Sequence, residues 1–210
     1  MKLWAFGCSH TQGHGLADCI AENGIDPIPV MSKLSWPNHL AELMGIDCEI
    51  KAWAGAGIKS TWHECVSAPI EPDDVIAIMW PCWESRIDIL LPPEDIDKSN
   101  PANIIHIRSW HEQDKDYFNR YYSAYDQFMQ LHCYTTTIRH MYPDNQIINT
   151  AYNEQEQLWD IKPLRNQPFS TEYFGAQKYQ IMPLAQDGQH RGIEAHKALA
   201  ENLFAEFKLT

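Results

Sequence analysis

The chain has 210 residues, of which 16 are Lys or Arg and 28 are Asp or Glu, so its formal net charge is −12. The acidic balance argues against a nucleic-acid binder and against a polybasic membrane anchor, because both need an excess of positive charge. With 44% hydrophobic and 21% charged residues, the composition is typical of a folded globular protein rather than a disordered one.

The sequence also carries information about compartment. No run of about 18 apolar residues is present, so no transmembrane helix is predicted. Residues 1–7 hold one basic residue and a short apolar run, which is less than a secretory signal needs. The six cysteines include no Cys-x-x-Cys pair and are interpreted as free thiols in a reducing compartment. These features predict a cytoplasmic protein.

Strands and helices alternate in the first part of the chain. Pro37 suits the first turn of a helix and Gly45 its end, while the continuous apolar run before Pro81 is typical of a central parallel strand. The predicted elements are, in order, a strand over 3–6, a loop over 11–32, a helix over 35–45, a strand over 48–53, a helix over 60–67 and a strand over 74–80.

The second part begins with residues 84–112, whose prolines and mixed polarity predict an insertion within one domain spanning residues 1–210. It continues with a predicted long helix over 117–141, a strand over 146–151, an irregular segment over 153–190 and a closing helix over 193–207. This alternation predicts an α/β fold, a three-layer α/β/α sandwich with a central parallel sheet. In such folds ligands bind at the carboxyl ends of the strands.

A serine follows the first predicted strand, in the segment Gly7-Cys8-Ser9-His10-Thr11. On a tight turn at a strand end, its hydroxyl can face solvent, and the start of the next helix offers N–H groups to a developing oxyanion. Taken alone, such a serine is more often a simple turn or cap residue. Cys8 is a weaker nucleophile candidate, because on an extended turn it points away from Ser9.

The segment Asp187-Gly188-Gln189-His190 precedes the last helix. An aspartate three residues before a histidine can accept a hydrogen bond from Nδ1, which fixes the tautomer and frees Nε2 to take a proton. A helix cap and a surface histidine are the alternative readings. Together with Ser9, the pair would form a set of nucleophile, base and orienting carboxylate.

These blocks resemble those of the SGNH, or GDSL-like, hydrolases. Their first block, Gly-Asp-Ser-x-Thr, is similar to residues 7–11, and their last, Asp-x-x-His, to residues 187–190. Their glycine after strand two is placed at Gly57, with Gly55 as the alternative. The resemblance implies a flavodoxin-like hydrolase fold, Ser9 as nucleophile, His190 as base, Asp187 as orienting residue, and an oxyanion hole made by the amides of Ser9 and Gly57.

Two departures from the family pattern stand out. Cys8 replaces the aspartate before the serine, and the third block, Gly-x-Asn-Asp, is absent. In its place the third strand leads into Trp80-Pro81-Cys82-Trp83-Glu84-Ser85-Arg86. The amides of Ser9 and Gly57 would then carry more of the oxyanion stabilisation, helped by a group of Trp80 or Cys82, so slow or narrow activity is expected.

Three more residues are predicted to bind substrate: His10, Trp80 and Arg86. The alternatives are a core position for Trp80 and a surface ion pair for Arg86. A metal site at His10 and His14 is disfavoured, because Gly13 and Gly15 disrupt a helix there and no carboxylate or cysteine stands at metal-ligand spacing. Neither a metal nor a cofactor is predicted.

The predicted function is that of a serine esterase acting on small acyl esters, with acetyl groups on a carbohydrate as the first substrate hypothesis. The predicted partner is therefore a small-molecule or carbohydrate ester, with no nucleic acid and no membrane. Two alternatives stay open: a catalytically degenerate protein that binds a glycan or a partner, and an acyltransferase that uses the same Ser-His pair. The sequence predicts no oligomeric state.

Overall fold

The computed structural model describes residues 1–21, 28–82, 85–91, 104–152 and 169–209. The strands are β1 (Lys2–Gly7), β2 (Asp47–Ala52), β3 (Val75–Trp80), β4 (Arg86–Leu90), β5 (Ile104–Arg108), β6 (Gln146–Ala151) and β7 (Phe169–Tyr173). The helices are α1 (Ser9–Gln12), α2 (Trp36–Met44), α3 (Ile58–Ser67), α4 (Lys115–Tyr121), α5 (Ala124–Met141), α6 (Gln177–Gln180) and α7 (Ile193–Phe207).

The central sheet has five parallel strands in the order β2-β1-β3-β6-β7. The inner strands are β1, β3 and β6, and every residue of β3 is buried. Because all five strands run in one direction, their carboxyl ends meet at one edge. This arrangement confirms the predicted α/β fold with a central parallel sheet.

Alternate residues of the strands face two separate cores. On one face, Leu3, Ala77 and Met79 pack with the apolar sides of α2 and α7. On the other face, Phe6 and Ile78 pack with apolar residues of α3 and α5. The helices thus cover both faces of the sheet, which gives the three layers that the alternating strand–helix pattern predicts.

Residues 84–112, predicted as an insertion, include the antiparallel strands β4 and β5, which form a separate two-stranded sheet. Residues 84 and 92–103 of this segment lie outside the described residues. β4 packs against α3, beside the carboxyl edge of the central sheet. Asp88 in β4 and Arg108 in β5 are buried, with 5% and 2% of their surfaces exposed.

Two predictions about the second part of the chain were wrong. The long helix over 117–141 is two helices, because the chain is extended at Ser123, whose hydroxyl accepts a hydrogen bond from Asp126 N and begins α5. The predicted irregular segment 153–190 contains the strand β7 and the short helix α6. Its residues 153–168 lie outside the described residues.

Two further sequence predictions concern the thiols and the membrane. All six cysteines are free, as their spacing indicates. Among the described residues, no helix combines the length and the apolarity needed to cross a bilayer.

Candidate active site

Ser9 begins α1 directly after the end of β1. Cys8 precedes it as the helix cap and is 1% exposed, while Ser9 is 5% exposed. The Ser9 N–H stands at the first helical position, where no helical carbonyl is available to it. The Ser9 hydroxyl makes no hydrogen bond to any other described residue.

Asp187 and His190 contact each other in the loop before α7. Oδ2 of Asp187 lies 2.6 Å from His190 Nδ1, and Oδ1 accepts hydrogen bonds from Gln189 N at 2.9 Å and His190 N at 3.0 Å. Burial raises the pKa of Asp187, but these hydrogen bonds outweigh it and leave the pKa below its usual value. An ionised Asp187 makes Nδ1 the protonated nitrogen of neutral His190, so Nε2 is the proton acceptor.

The histidines that follow Ser9 surround this pair. The rings of His10 and His14 each lie 5.0 Å from the ring of His190, centroid to centroid. His10 also stacks on Tyr152 at 4.7 Å. Because His10 directly follows Ser9, Ser9 and His190 lie at the same edge of the sheet. No hydrogen bond joins the two residues.

Burial, followed by the charge of His190, lowers the pKa of both His10 and His14. Arg86 and Arg191 also lower the pKa of His10. His10 is thus a neutral aromatic ring beside His190 rather than a second base. Its predicted role in contacting substrate stays a prediction.

Gly57 is the cap of α3 and follows the turn after β2. A Cβ atom on Gly57 would stand 2.3 Å from Oδ2 of Asp88 in β4. Only glycine therefore allows the antiparallel β4–β5 pair, called the hairpin below, to lie this close to the start of α3. Gly57 O accepts hydrogen bonds from the N–H and the hydroxyl of Thr61, whereas Gly57 N–H donates to no described residue. This N–H is an uncommitted donor at the start of a helix, which is what an oxyanion site requires.

Two of the predicted substrate-binding residues, Trp80 and Arg86, form hydrogen bonds within the protein. Trp80 is fully buried in the core below α5, where its indole N–H donates to Asn149 Oδ1 at 3.0 Å, so it has no surface to offer a substrate. Arg86 forms no surface ion pair with any residue that the structure describes. Its Nη1 donates to the carbonyl of Ala56 at 2.6 Å, which ties it to the turn before Gly57.

One set of side chains in the described part of the chain has metal-ligand spacing. The ligand atoms of His14, Asp187 and His190 all lie within 4.8 Å of one another. The sequence did not indicate this set, because 173 residues separate His14 from Asp187 along the chain. The same Asp187 and His190 atoms form the carboxylate–imidazole pair, so a metal here would compete with that pair for His190.

Three polar residues of the hairpin were not among the predicted site residues: Asp88, His106 and Arg108. A signal for them was present, since polar residues alternate with isoleucine in Arg86–Leu90 and Ile104–Arg108, and this period places the polar side chains on one face. Trp110 follows β5 with 50% of its surface exposed. Its ring covers the guanidinium groups of Arg86 and Arg108, at 5.6 and 5.9 Å.

No family model matches the chain, and no curated protein matches it either. Solved structures do. The chain is similar to an acetyl xylan esterase, Est2A, from the rumen bacterium Butyrivibrio proteoclasticus (14% identity, TM-score 0.56, 100% of this chain and 65% of that one). It is also similar to a family two carbohydrate esterase from Clostridium thermocellum (14% identity, TM-score 0.57, 99% and 63%).

A third structure, a GDSL-like lipase from Parabacteroides merdae, matches with 14% identity and a TM-score of 0.55, over 100% of this chain and 96% of that one. The chain therefore spans less than two thirds of the two carbohydrate esterases but nearly the whole of the lipase. At this identity the likeness establishes the fold alone. The chain has the fold of the SGNH, or GDSL-like, hydrolases.

Proposed function

We propose that the protein is a serine esterase in which Ser9 is the nucleophile, His190 the general base and Asp187 the residue that orients His190. The observation that carries the proposal is the Asp187–His190 contact of 2.6 Å, formed at the strand edge where Ser9 begins α1. The fold is that of hydrolases, which adds support by analogy.

In the first half of the reaction, Ser9 Oγ attacks the acyl carbon while His190 Nε2 takes its proton. The carbonyl oxygen becomes an oxyanion, which the N–H groups of Ser9 and Gly57 stabilise. When the intermediate collapses, the bond to the alcohol breaks and His190 returns the proton to the departing alcohol oxygen. Ser9 is left as an acyl ester.

In the second half, water replaces the alcohol. His190 takes a proton from the water as its oxygen attacks the acyl carbon, and then delivers that proton to Ser9 Oγ. The products are a free acid and the original enzyme. Asp187 stays ionised throughout and stabilises the His190 imidazolium that forms in each half.

Hydrogen-bond contact between Ser9 and His190 has to tighten for this chemistry, since none joins them here. Active sites commonly show looser contacts without substrate than in the reacting complex. A protein that binds a ligand without hydrolysing it needs no hydrogen bond between Ser9 and His190. The missing hydrogen bond is therefore also the observation that favours a catalytically degenerate binding protein as the second candidate.

For the substrate, we propose a small acyl group, acetyl first, on a carbohydrate alcohol. The half-exposed indole of Trp110 supports a sugar, because it offers an apolar face beside the turn that carries Gly57. Two of the similar structures are described as esterases of carbohydrates, one of them an acetyl xylan esterase.

The test compares hydrolysis of p-nitrophenyl acetate by the native protein and by Ser9→Ala, with Cys8→Ala as the matched control. The proposal expects Ser9→Ala to lose nearly all turnover and Cys8→Ala to keep it. Equal rates in the native protein and Ser9→Ala would refute the esterase. Formation of a new ester when an acceptor alcohol is added would identify an acyltransferase that uses the same pair.

A further inference from the structure

Two arginines of the hairpin donate hydrogen bonds to the turn that precedes Gly57. Arg86 and Arg108 stand opposite each other across the β4–β5 pair. Nη1 of Arg86 donates to the carbonyl of Ala56 at 2.6 Å, and Nη2 of Arg108 donates to the carbonyl of Gly55. Two consecutive carbonyls of this turn are therefore held by two positive charges from one hairpin.

A buried carboxylate fixes the hairpin to the start of α3. Asp88 accepts hydrogen bonds from the N–H and the hydroxyl of Ser60, and it contacts His106 Nδ1 at 2.9 Å and Arg108 Nη1 at 3.4 Å. Burial raises the pKa of Asp88, but the hydrogen bonds from His106 and Ser60 outweigh it, so the pKa lies below its usual value. An ionised Asp88 thus pairs with Arg108 and fixes β4, the strand that carries Arg86, to the start of α3.

The peptide between Ala56 and Gly57 links Arg86 to the candidate oxyanion site, because its C=O accepts from Arg86 and its N–H is the candidate oxyanion donor. No cis peptide bond occurs in the described residues, so the C=O of Ala56 and the N–H of Gly57 point in opposite directions. Arg86 holds the C=O. The N–H therefore points away from Arg86, and it is the donor that no described residue uses.

We propose that Arg86 is a positioning residue, which orients the Gly57 N–H toward the oxyanion and polarises it. The Gly-x-Asn-Asp block, whose asparagine would supply a further oxyanion donor, is absent from this chain. The inference rests on the proposed esterase function. A charged donor on the carbonyl oxygen draws electron density from the peptide, which strengthens the N–H on its far side as a hydrogen-bond donor. Arg86 thus acts through the peptide rather than on the substrate.

The experiment measures kcat and KM for p-nitrophenyl acetate in Arg86→Ala and Arg86→Lys, with Arg139→Ala on the exposed end of α5 as the matched control. Complete loss of an oxyanion donor costs about 10²–10³ in kcat. We expect Arg86→Ala to lose about 10–100-fold in kcat with little change in KM, because the donor is weakened but stays in place. Arg86→Lys should recover part of the loss, and Arg139→Ala should match the native protein.

A second readout separates polarisation from folding. Guanidinium ion, added well below denaturing concentrations, should restore part of the kcat of Arg86→Ala and have no such effect on Ser9→Ala. Circular dichroism checks that each variant is folded, and if Arg86→Ala is not, Arg86→Gln replaces it. A native kcat, a loss confined to KM, or no response to guanidinium would overturn the proposal. Native turnover in Ser9→Ala would instead refute the esterase itself.

Discussion

Gly15 lies directly against the carboxylate of Asp187: a Cβ atom at residue 15 would stand 2.3 Å from Oδ2. The backbone of Gly15 has φ +83°, in the left-handed region, and its carbonyl accepts a hydrogen bond from Gln186 N at 3.0 Å. The loop after α1 therefore presses on the carboxylate that contacts His190. Only a residue without a side chain permits this approach.

Gly15→Ala should accordingly damage activity more than its cost in stability explains. The new methyl group must displace the Asp187 carboxylate, which is backed by its bonds to Gln189 and His190. We expect at least a tenfold fall in kcat, because a misplaced His190 is a poor base. The measurement is kcat for p-nitrophenyl acetate beside the free energy of unfolding in urea.

Gly45→Ala is the matched control for that variant. Gly45 also has a positive φ, +67°, but nothing lies within 4 Å of its Cβ position, and it ends α2 away from the site. It should lose about 1–2 kcal/mol of stability, the usual cost of a left-handed alanine, with unchanged kcat. Equal kcat in both variants would show that Gly15 does not position Asp187.

Trp110→Ala should separate sugar binding from ester chemistry. Trp110 is half-exposed beside Arg86, so its loss removes an apolar face without touching Ser9 or His190. We expect a severalfold higher KM for an acetylated xylo-oligosaccharide and an unchanged kcat/KM for p-nitrophenyl acetate. Trp110→Phe should keep most of the affinity. An equal effect on both substrates would contradict a sugar platform.

His196 should make the fold sensitive to acid. Its side chain is fully buried, and its Nδ1 accepts a hydrogen bond from Trp36 N at 3.0 Å. Burial, followed by the charge of His39, lowers its pKa to about 3, against 6.5 for a free histidine. Between these values the unfolded chain binds a proton that the folded chain refuses, so stability falls as the pH drops below about 6.5.

His196→Asn tests this linkage, because the asparagine oxygen can still accept the Trp36 N–H. The free energy of unfolding is measured in urea between about pH 7 and pH 5. The native protein should lose up to about 1.4 kcal/mol per pH unit more than the variant does. Parallel pH profiles for the two proteins would mean that His196 takes up its proton in the folded state as well.

Much of the fold could be predicted from the sequence, because the central strand β3 is a continuous apolar run and α2 is bounded by Pro37 and Gly45. The strand β7 was missed because its sequence, Phe-Ser-Thr-Glu-Tyr, is polar, and it lies at the edge of the sheet beside β6. The break before α5 was missed because aromatic residues continue the helical spacing across Ser123. Pairing with β6 decides the structure of β7, whereas the break before α5 is set by the local cap at Ser123.

The candidate site also has features that the sequence predicts and features that only the folded chain reveals. The contact between Asp187 and His190 follows from a spacing of three residues, which the chain itself records. The role of Arg86 does not, because its partner Ala56 lies 30 residues away and only the folded hairpin brings them together. The core position of Trp80, which was the alternative to substrate binding, follows from the period-two face that it shares with Ile76 and Ile78.

The central claim is that Ser9 is a nucleophile activated by His190, and covalent labelling tests it most directly. The native protein, Ser9→Ala and His190→Ala are each treated with an alkyl fluorophosphonate, and the modified residue is located by peptide mass spectrometry. We expect one label per chain, on Ser9, at a rate that falls sharply in His190→Ala. An unlabelled Ser9, or labelling at the native rate in His190→Ala, would contradict it.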